Sequence, residues 1–254
     1  MKSEHRKRGN SGQALIVTAL IITLMWMSTV YYVLETEKET VSIISTADFD
    51  FSVTKVSTRN TLISALANAS NGGDKEALTT DLEKLSSTLH AHSYEAEVDL
   101  SFTPLNTTPY QDGMWISWGE EGSGLSSAYV SFAINVSGSA ANYYLAYETN
   151  VTTALHIDGV CADEGSEKRV NMTCTIYDEN GPALAKTISI FYQNQTDGSW
   201  LSVDQQNNLA IVDFGNGTYG ISFLAYSQGP IKVSAQINDL RGIFAMANVT
   251  CVQA

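Results

Sequence analysis

The sequence has few basic residues and few cysteines. The shortage of basic residues argues against a nucleic-acid-binding protein, and the cysteine pattern argues against a zinc protein. Charged side chains make up 16% of the 254 residues, and acidic ones predominate, giving a net charge of −13. An acidic chain repels phosphate backbones, so we expect no binding to nucleic acid. The three cysteines, Cys161, Cys174 and Cys251, form no CxxC pair and no Cys/His cluster with zinc spacing, which argues against a structural zinc site.

Motifs for common enzyme chemistry are also missing. The chain has no GxSxG, P-loop or HExxH motif, and no GxGxxG between a predicted strand and helix. His90 and His92 are too few to hold a metal, and they stand at the end of a predicted helix, where histidine suits the helix dipole. The acidic pairs Glu120–Glu121 and Asp178–Glu179 fall in predicted loops without EF-hand spacing, so we interpret them as solvated turn residues. We therefore expect a non-enzymatic protein without a metal or cofactor.

One long run without charge stands near the N-terminus. Residues 13–34 read QALIVTALIITLMWMSTVYYVL, and at about 1.5 Å per residue they span about 33 Å, which matches a bilayer core of ~30 Å. We therefore predict a basic cytoplasmic leader over residues 1–12, a single transmembrane helix over 13–34 and an extracellular remainder. A cleaved secretory signal is the alternative, but its apolar region is usually shorter and ends in a small-x-small site. The cytoplasmic N-terminus is indicated by the basic residues before the run: Lys2, Arg6, Lys7 and Arg8.

The leader resembles that of type IV pilin-like proteins, especially archaeal ones. The resemblance rests on Lys7-Arg8-Gly9, a short polar stretch and the apolar run. In that family a membrane peptidase cuts on the cytoplasmic side after the basic-Gly pair, which implies cleavage after Gly9 and Asn10 as the first mature residue. Gly12 is a second candidate, and the glutamate that bacterial pilins carry at the fifth mature position is absent. An uncleaved single-pass anchor is the alternative.

Residues 35–153 predict a membrane-proximal module of helices and a small antiparallel sheet. Leu62, Ile63 and Leu66 are spaced for one apolar helix face. A second amphipathic helix is indicated by leucines at steps of four, three and four, namely Leu78, Leu82, Leu85 and Leu89. The hydrophobic period then changes to two over residues 96–102 and 130–136, which predicts strands with one buried face. Helices followed by a small sheet are also the arrangement of a pilin head, so the module is interpreted as pilin-like.

Residues 154–254 predict a β-sandwich. Apolar residues alternate over 170–176, 188–192, 219–223, 231–237 and 245–251, with turn signals between them. The segments ADEG, VNMTCTIYDENGPALAKTISIFY, GNGTYGISF and ANVTC resemble bacterial Ig-like domains of the invasin type. The predicted fold class is therefore α+β: an N-terminal transmembrane helix, membrane-proximal helices with a small antiparallel sheet, and a C-terminal Ig-like β-sandwich.

The Ig-like resemblance also implies a cysteine pairing. In that fold the first strand runs parallel to the last, and Cys161 and Cys251 would end these strands with their side chains inward. The resemblance therefore implies a Cys161–Cys251 disulfide. Closing its loop of ~90 residues would contribute ~4 kcal/mol in the chain-entropy model. A Cys161–Cys174 disulfide is the alternative.

Asparagine sequons are unusually frequent after the apolar run. Eight occur, against roughly three expected by chance from sixteen asparagines. The excess indicates a glycosylated exterior, with accidental sequons in a Ser/Thr-rich chain as the alternative. Strand-embedded sequons such as Asn171 are candidates to stay unmodified. Together with the basic-Gly leader, it points towards an archaeal source. The sequon asparagines are Asn68, Asn106, Asn135, Asn150, Asn171, Asn194, Asn216 and Asn248.

These features together predict a single-pass cell-membrane protein with a cytoplasmic N-terminus and an extracellular C-terminal region. We expect a pilin-like or minor filament component, whose partners are membrane lipid and other pilin-like subunits that pack through the N-terminal helix. The alternative is a surface adhesin or envelope-binding protein that does not assemble into filaments. Its Ig-like module would contact a surface protein or glycan.

Overall fold

The computed structural model describes residues 23, 25–27, 46–92, 96–119, 121–138, 142–227 and 229–254. The chain forms two compact units, Met1–Val53 and Thr54–Ala254. The predicted leader and most of the predicted transmembrane helix lie outside the described residues. Among the residues that the structure does describe, no helix has both the length and the apolarity needed to cross a membrane.

Between residue 46 and the first strand, the structure describes two α-helices. Helix α1 spans Thr46–Ser70 and helix α2 spans Ala77–His92. Between them Gly72 adopts a φ of 91°, a left-handed conformation that costs glycine little because it has no Cβ. The predicted apolar faces are confirmed in part. Four of their leucines have no exposed surface, Leu62, Leu66, Leu78 and Leu82, whereas Ile63, Leu85 and Leu89 are half-buried.

Thirteen strands follow within the described part of the chain. In chain order, β1–β7 are Ala96–Pro104, Met114–Trp118, Ser123–Gly138, Asn142–Glu164, Glu167–Asp178, Gly181–Pro182 and Ala185–Gln193. Strands β8–β13 are Trp200–Ser202, Ala210–Asp213, Thr218–Ala225, Lys232–Asp239, Phe244–Thr250 and Val252–Gln253. A short 3-10 helix, Gln205–Asn207, lies between β8 and β9.

The strands form two sheets. Sheet A has nine strands in the order β1-β3-β4-β5-β10-β9, with β2 paired to β3, β6 to β5 and β13 to β4. Sheet B has four strands in the order β12-β11-β7-β8. A hydrophobic core fills the space between the sheets. Sheet A contributes β4, β5 and β10 to it, and sheet B contributes β7, β11 and β12. The largest fully buried members of this core include Phe223, Ile157, Ile176, Ile190 and Ile237.

Strand β4 corrects the predicted fold class. Its first part, Asn142–His156, pairs with β3, and its last part, Thr153–Glu164, pairs with β5. The position at which the sequence analysis separated two modules, between residues 153 and 154, lies inside this strand. Alternation of buried residues continues across that position, from Val151 through Leu155 to Cys161. Because the pattern never breaks, the small sheet and the sandwich are one sheet.

The predicted fold class is therefore wrong. The architecture is predominantly β, with two helices beside thirteen strands among the described residues. It has no separate membrane-proximal α+β module, because β1, β2 and β3 extend the sheet that forms half of the sandwich. No membrane-crossing helix belongs to the described architecture.

Strand β3 also contacts the second sheet directly. The Gly122 N–H donates to Asn248 O at 2.9 Å, and the Ser126 hydroxyl donates to Phe244 O at 2.6 Å. Gly124 permits this approach: a Cβ there would lie 2.0 Å from the carbonyl oxygen of Met246. The start of β3 and the last long strand are thus joined by one backbone and one side-chain hydrogen bond.

The last strand changes sheets at Cys251. Strand β12 pairs antiparallel with β11 in sheet B, whereas β13 pairs parallel with β4 in sheet A, matching Val252 to Val160. The Cys251 N–H donates to Ile231 O, and the Ala254 N–H donates to Cys161 O, both at 2.8 Å. A parallel pairing between the strand of Cys161 and the end of the chain, expected from the Ig-like resemblance, is therefore present.

Candidate functional site

The residues that the sequence analysis selected are scattered. Lys7, Arg8, Gly9 and Asn10 lie outside the described residues, as does Glu120. His90 is exposed at the end of α2. Within the described part of the chain, no group of three His, Cys, Asp or Glu side chains is placed to hold a metal ion.

The cysteines form a buried set in the sandwich. All three are buried free thiols in this structure. The Cys161 thiol donates to Cys251 O at 3.9 Å, so these two residues are neighbours across the β4–β13 pairing. Cys174 lies on β5 within the core, where Cys174 pairs with Ile157 of β4. A Cys161–Cys251 disulfide stays a prediction, with Cys161–Cys174 as the alternative.

Burial controls the chemistry of these thiols. Desolvation raises the pKa of Cys174 to about 12. Desolvation also raises the pKa of Cys251 to about 12, and the neighbouring Cys161 adds to that rise. A thiol with so high a pKa carries almost no thiolate at neutral pH, and thiolate is the reactive form. Cys174 and Cys251 therefore have the properties of structural cysteines.

Most sequon asparagines point to solvent. Six of the eight side chains are exposed: Asn68, Asn106, Asn135, Asn150, Asn171 and Asn216. Asn194 is half-buried, and its side-chain oxygen accepts from the Thr196 N–H. Asn248 is also half-buried, and its side-chain oxygen is enclosed without a hydrogen-bond partner. The structure thus leaves six sequons open to modification and obstructs Asn248.

A cluster of charged side chains joins α1 to both sheets. At its centre, Arg241 lies in the hairpin between β11 and β12. Its guanidinium donates to both carboxylate oxygens of Glu179, at 3.0 and 2.9 Å, and to Asp239 at 2.8 Å. It also donates to Thr152 O at 2.7 Å and to the Thr153 hydroxyl at 3.0 Å. Five hydrogen bonds therefore satisfy this guanidinium completely.

The carboxylates of this Arg241 cluster are equally well bonded. Asp239 is 2% exposed and accepts from the Arg241 and Ile243 N–H groups, each at 2.9 Å, and from the Thr153 hydroxyl at 2.8 Å. Glu179 accepts from the Thr152 N–H at 3.0 Å and from Arg59 of α1. With every partner engaged, the cluster leaves no free acid or base for catalysis. It fastens α1 to the sandwich.

The electrostatics of Glu179 follow from this bonding. Burial by itself would raise the pKa of the Glu179 carboxyl. Hydrogen bonds from the Thr152 N–H and the Arg241 guanidinium outweigh that effect and lower the pKa overall. Interpreting Glu179 as a solvated turn residue was therefore wrong. Its side chain is only 14% exposed and binds two arginines.

Sequence reasoning missed this cluster, although the chain carries a signal for it. Beyond the N-terminal basic segment there are three arginines, Arg59, Arg169 and Arg241. Each of them pairs with a carboxylate. In a chain so poor in basic residues, an isolated arginine favours a planar, bidentate carboxylate contact. Which carboxylate it meets depends on tertiary structure, because Arg241 and Glu179 are far apart in sequence.

The outer face of sheet A carries a shallow groove of about 400 Å³. We call it the outer groove and define it by six residues: Asp158, Val160, Asn171, Thr173, Val212 and Phe214. The three apolar members are strongly exposed, Val160 by 45%, Val212 by 54% and Phe214 by 62%. Exposed apolar side chains that adjoin one another commonly mark a contact surface.

Strand register explains how the groove forms. Asn171 on β5 lies opposite Val160 on β4 and Ser222 on β10, and Thr173 lies opposite Asp158 and Gly220. Gly220 in turn lies opposite Val212 on β9. Because Gly220 has no side chain, the Phe214 ring lies over it, with Cε2 3.3 Å from the position a Cβ would take. The result is an apolar floor edged by hydroxyl and carboxylate groups.

Comparisons with known proteins do not extend this description. No protein-family model matches the sequence, and no curated protein matches it. A solved structure of chimeric titin Z1Z2, functionalized with a KLER exogenous peptide from decorin, is similar over 64% of this chain and 83% of that chain. Its sequence identity is 11% and its TM-score 0.25. A likeness this weak supports no argument about fold or function.

Proposed function

We propose that this chain is a non-enzymatic, membrane-anchored cell-surface protein, a pilin-like or minor filament component with an exposed β-sandwich. The observation that carries the proposal is the excess of sequons, eight against roughly three expected by chance, with six of the eight asparagine side chains open to solvent on the folded unit. A glycosylated surface needs sequons that the folded chain leaves accessible.

The N-terminal segment supplies the membrane attachment in this proposal. Trp26 and Met27, within the apolar run, are exposed by 71% and 69%. Large apolar side chains in such a run need a partner, and membrane lipid or the same segment of other subunits would serve. The basic residues before the run would keep the N-terminus in the cytoplasm and place the β-rich unit outside.

A surface adhesin or envelope-binding protein is the second candidate. It is favoured by the edge of sheet B, where Trp200 and Leu201 of β8 are exposed by 40% and 38%. Strand β8 pairs with β7 alone among the described strands, so one of its edges is open to an extended segment of a surface partner. Such a protein would keep an uncleaved leader and would not assemble.

The N-terminus of the mature protein separates the two candidates. We would isolate the full chain from its native membrane and determine its first residue and intact mass. A start at Asn10, abolished by Gly9→Val and retained in the matched Gly12→Val variant, supports a pilin-like subunit. A start at Met1 or Lys2 supports the adhesin. A first residue beyond Leu34 would overturn both, because the membrane attachment would be gone.

A further inference from the structure

We infer that the chain's own N-linked glycan, attached at Asn171, lies in the outer groove. The inference rests on the proposed extracellular location and assigns an occupant to a particular apolar surface. The occupant is identified by its point of attachment, because the glycan would be bonded to a residue of the groove itself. Both the modified residue and the hydroxyl residue of the sequon, Asn171 and Thr173, are groove members.

The geometry of β5 places the sugar in the groove. Side chains of a strand alternate between faces, so Asn171 and Thr173 point outward together while Met172, 2% exposed, points into the core. Directly opposite residues on neighbouring strands have Cβ atoms about 4.5–5.5 Å apart. A sugar on the Asn171 amide nitrogen therefore starts beside Val160 and Ser222, its two cross-strand neighbours.

The surface around Asn171 suits a carbohydrate. Sugars have apolar C–H faces and hydroxyl edges, and they fit surfaces that combine exposed apolar side chains with a few polar groups. Phe214 and Val212 supply the apolar surface, and the Asp158 carboxylate supplies a hydrogen-bond acceptor at the rim. The same apolar patch, left bare on a secreted unit, would promote association.

Asn171 is the one exposed sequon asparagine among the lining residues of the outer groove. Its side chain makes no hydrogen bond with any described residue, so its amide nitrogen is free. Asn106 is exposed in the loop between β1 and β2 and lies outside the groove, which makes it the matched control.

Glycan occupancy and surface hydrophobicity test the inference in the full chain purified from its native membrane. Glycopeptide mass spectrometry should find sugar on Asn171. Asn171→Gln and Thr173→Ala should each raise the fluorescence of a bound hydrophobic dye, bis-ANS, about twofold over wild type, because the patch is uncovered. Thr173→Ser, which keeps the sequon, and Asn106→Gln should leave it unchanged. Adding Phe214→Ser to Asn171→Gln should reverse the rise.

Two results would overturn the inference. The first is a bare Asn171 in wild-type protein, whether the other sequons are modified or bare. In that case association of wild-type chains through the groove would identify a second copy as its occupant. The second is a glycan on Asn171 whose removal leaves dye binding unchanged. Protease accessibility on intact cells, measured in parallel, reports the extracellular location separately, so failure of the proposed function is recognised independently.

Discussion

Arg241 gives the sharpest test of how the fold is held together. Arg241→Met keeps most of the volume and the aliphatic stem but removes five hydrogen bonds and one charge. Asp239, 2% exposed, and Glu179 would then remain in the fold without their shared counter-charge. Removing one partner of a buried ion pair is strongly destabilising because the other charge stays desolvated.

The expected loss of unfolding free energy lies at the lower end of the range for breaking a buried ion pair. Such changes cost about 3–5 kcal/mol, and Asp239 keeps its hydrogen bonds from two backbone N–H groups and the Thr153 hydroxyl, so we expect about 3 kcal/mol. With an m-value of about 2 kcal/mol/M, this lowers the urea midpoint by about 1.5 M. Urea unfolding followed by tryptophan fluorescence measures it.

Two further variants make this test specific. Arg169 forms an exposed bidentate pair with Glu164, so Arg169→Met should leave the midpoint almost unchanged. Asp239→Asn added to Arg241→Met should restore part of the loss, because it removes the charge left without a partner. If Arg241→Met shifts the midpoint no more than Arg169→Met does, the cluster does not stabilise the fold and the reasoning is wrong.

Three other outcomes follow from the structure. Because hydrogen bonding lowers the pKa of Glu179, the stability it contributes is present at neutral pH and lost as the pH falls into the acid range below the ordinary carboxyl pKa of 4.5. Urea midpoints across that range should show this loss, and a smaller one in Glu179→Gln. A Cys161–Cys251 disulfide should leave Cys174 as the one alkylated thiol per denatured chain, located by peptide mass spectrometry; three alkylated thiols, or an alkylated Cys251, would exclude it. Gly124→Ala should cost about 3 kcal/mol or more, since its Cβ would overlap the Met246 carbonyl, whereas Gly220→Ala meets only the exposed Phe214 ring and should unfold near the wild-type temperature in calorimetry.

Hydrophobic periodicity located most strands but not their partners. The alternation over residues 96–102, 170–176 and 231–237 corresponds to β1, β5 and β11. A hydrophobic period of two shows which side chains of a strand point inward. It does not show which other strand lies alongside. That is why β4 was divided: its two halves carry the same pattern but pair with different strands, β3 and β5.

The candidate sites were harder to predict for two different reasons. The Arg241 cluster depends on residues from four elements that meet only in the folded chain. Strand β9 was missed because all four of its residues are exposed, which removes the buried-exposed alternation that reveals a strand. The outer groove depends on β9, so it was invisible as well. Sequons, in contrast, are local, and sequence alone found every one.

The position of β5 within sheet A limits when Asn171 can be modified. In the finished sheet β5 is hydrogen-bonded on both sides, by β4 and β10. The partner of Asn171 on β10, Ser222, is made about fifty residues later. At synthesis rates of ~5–20 residues per second, that delay is ~3–10 s. During this interval β5 can pair with β4, which is already made, but its other edge is open. A membrane-bound transferase acting on an emerging chain would meet Asn171 before β10 and β9 complete the groove beside it.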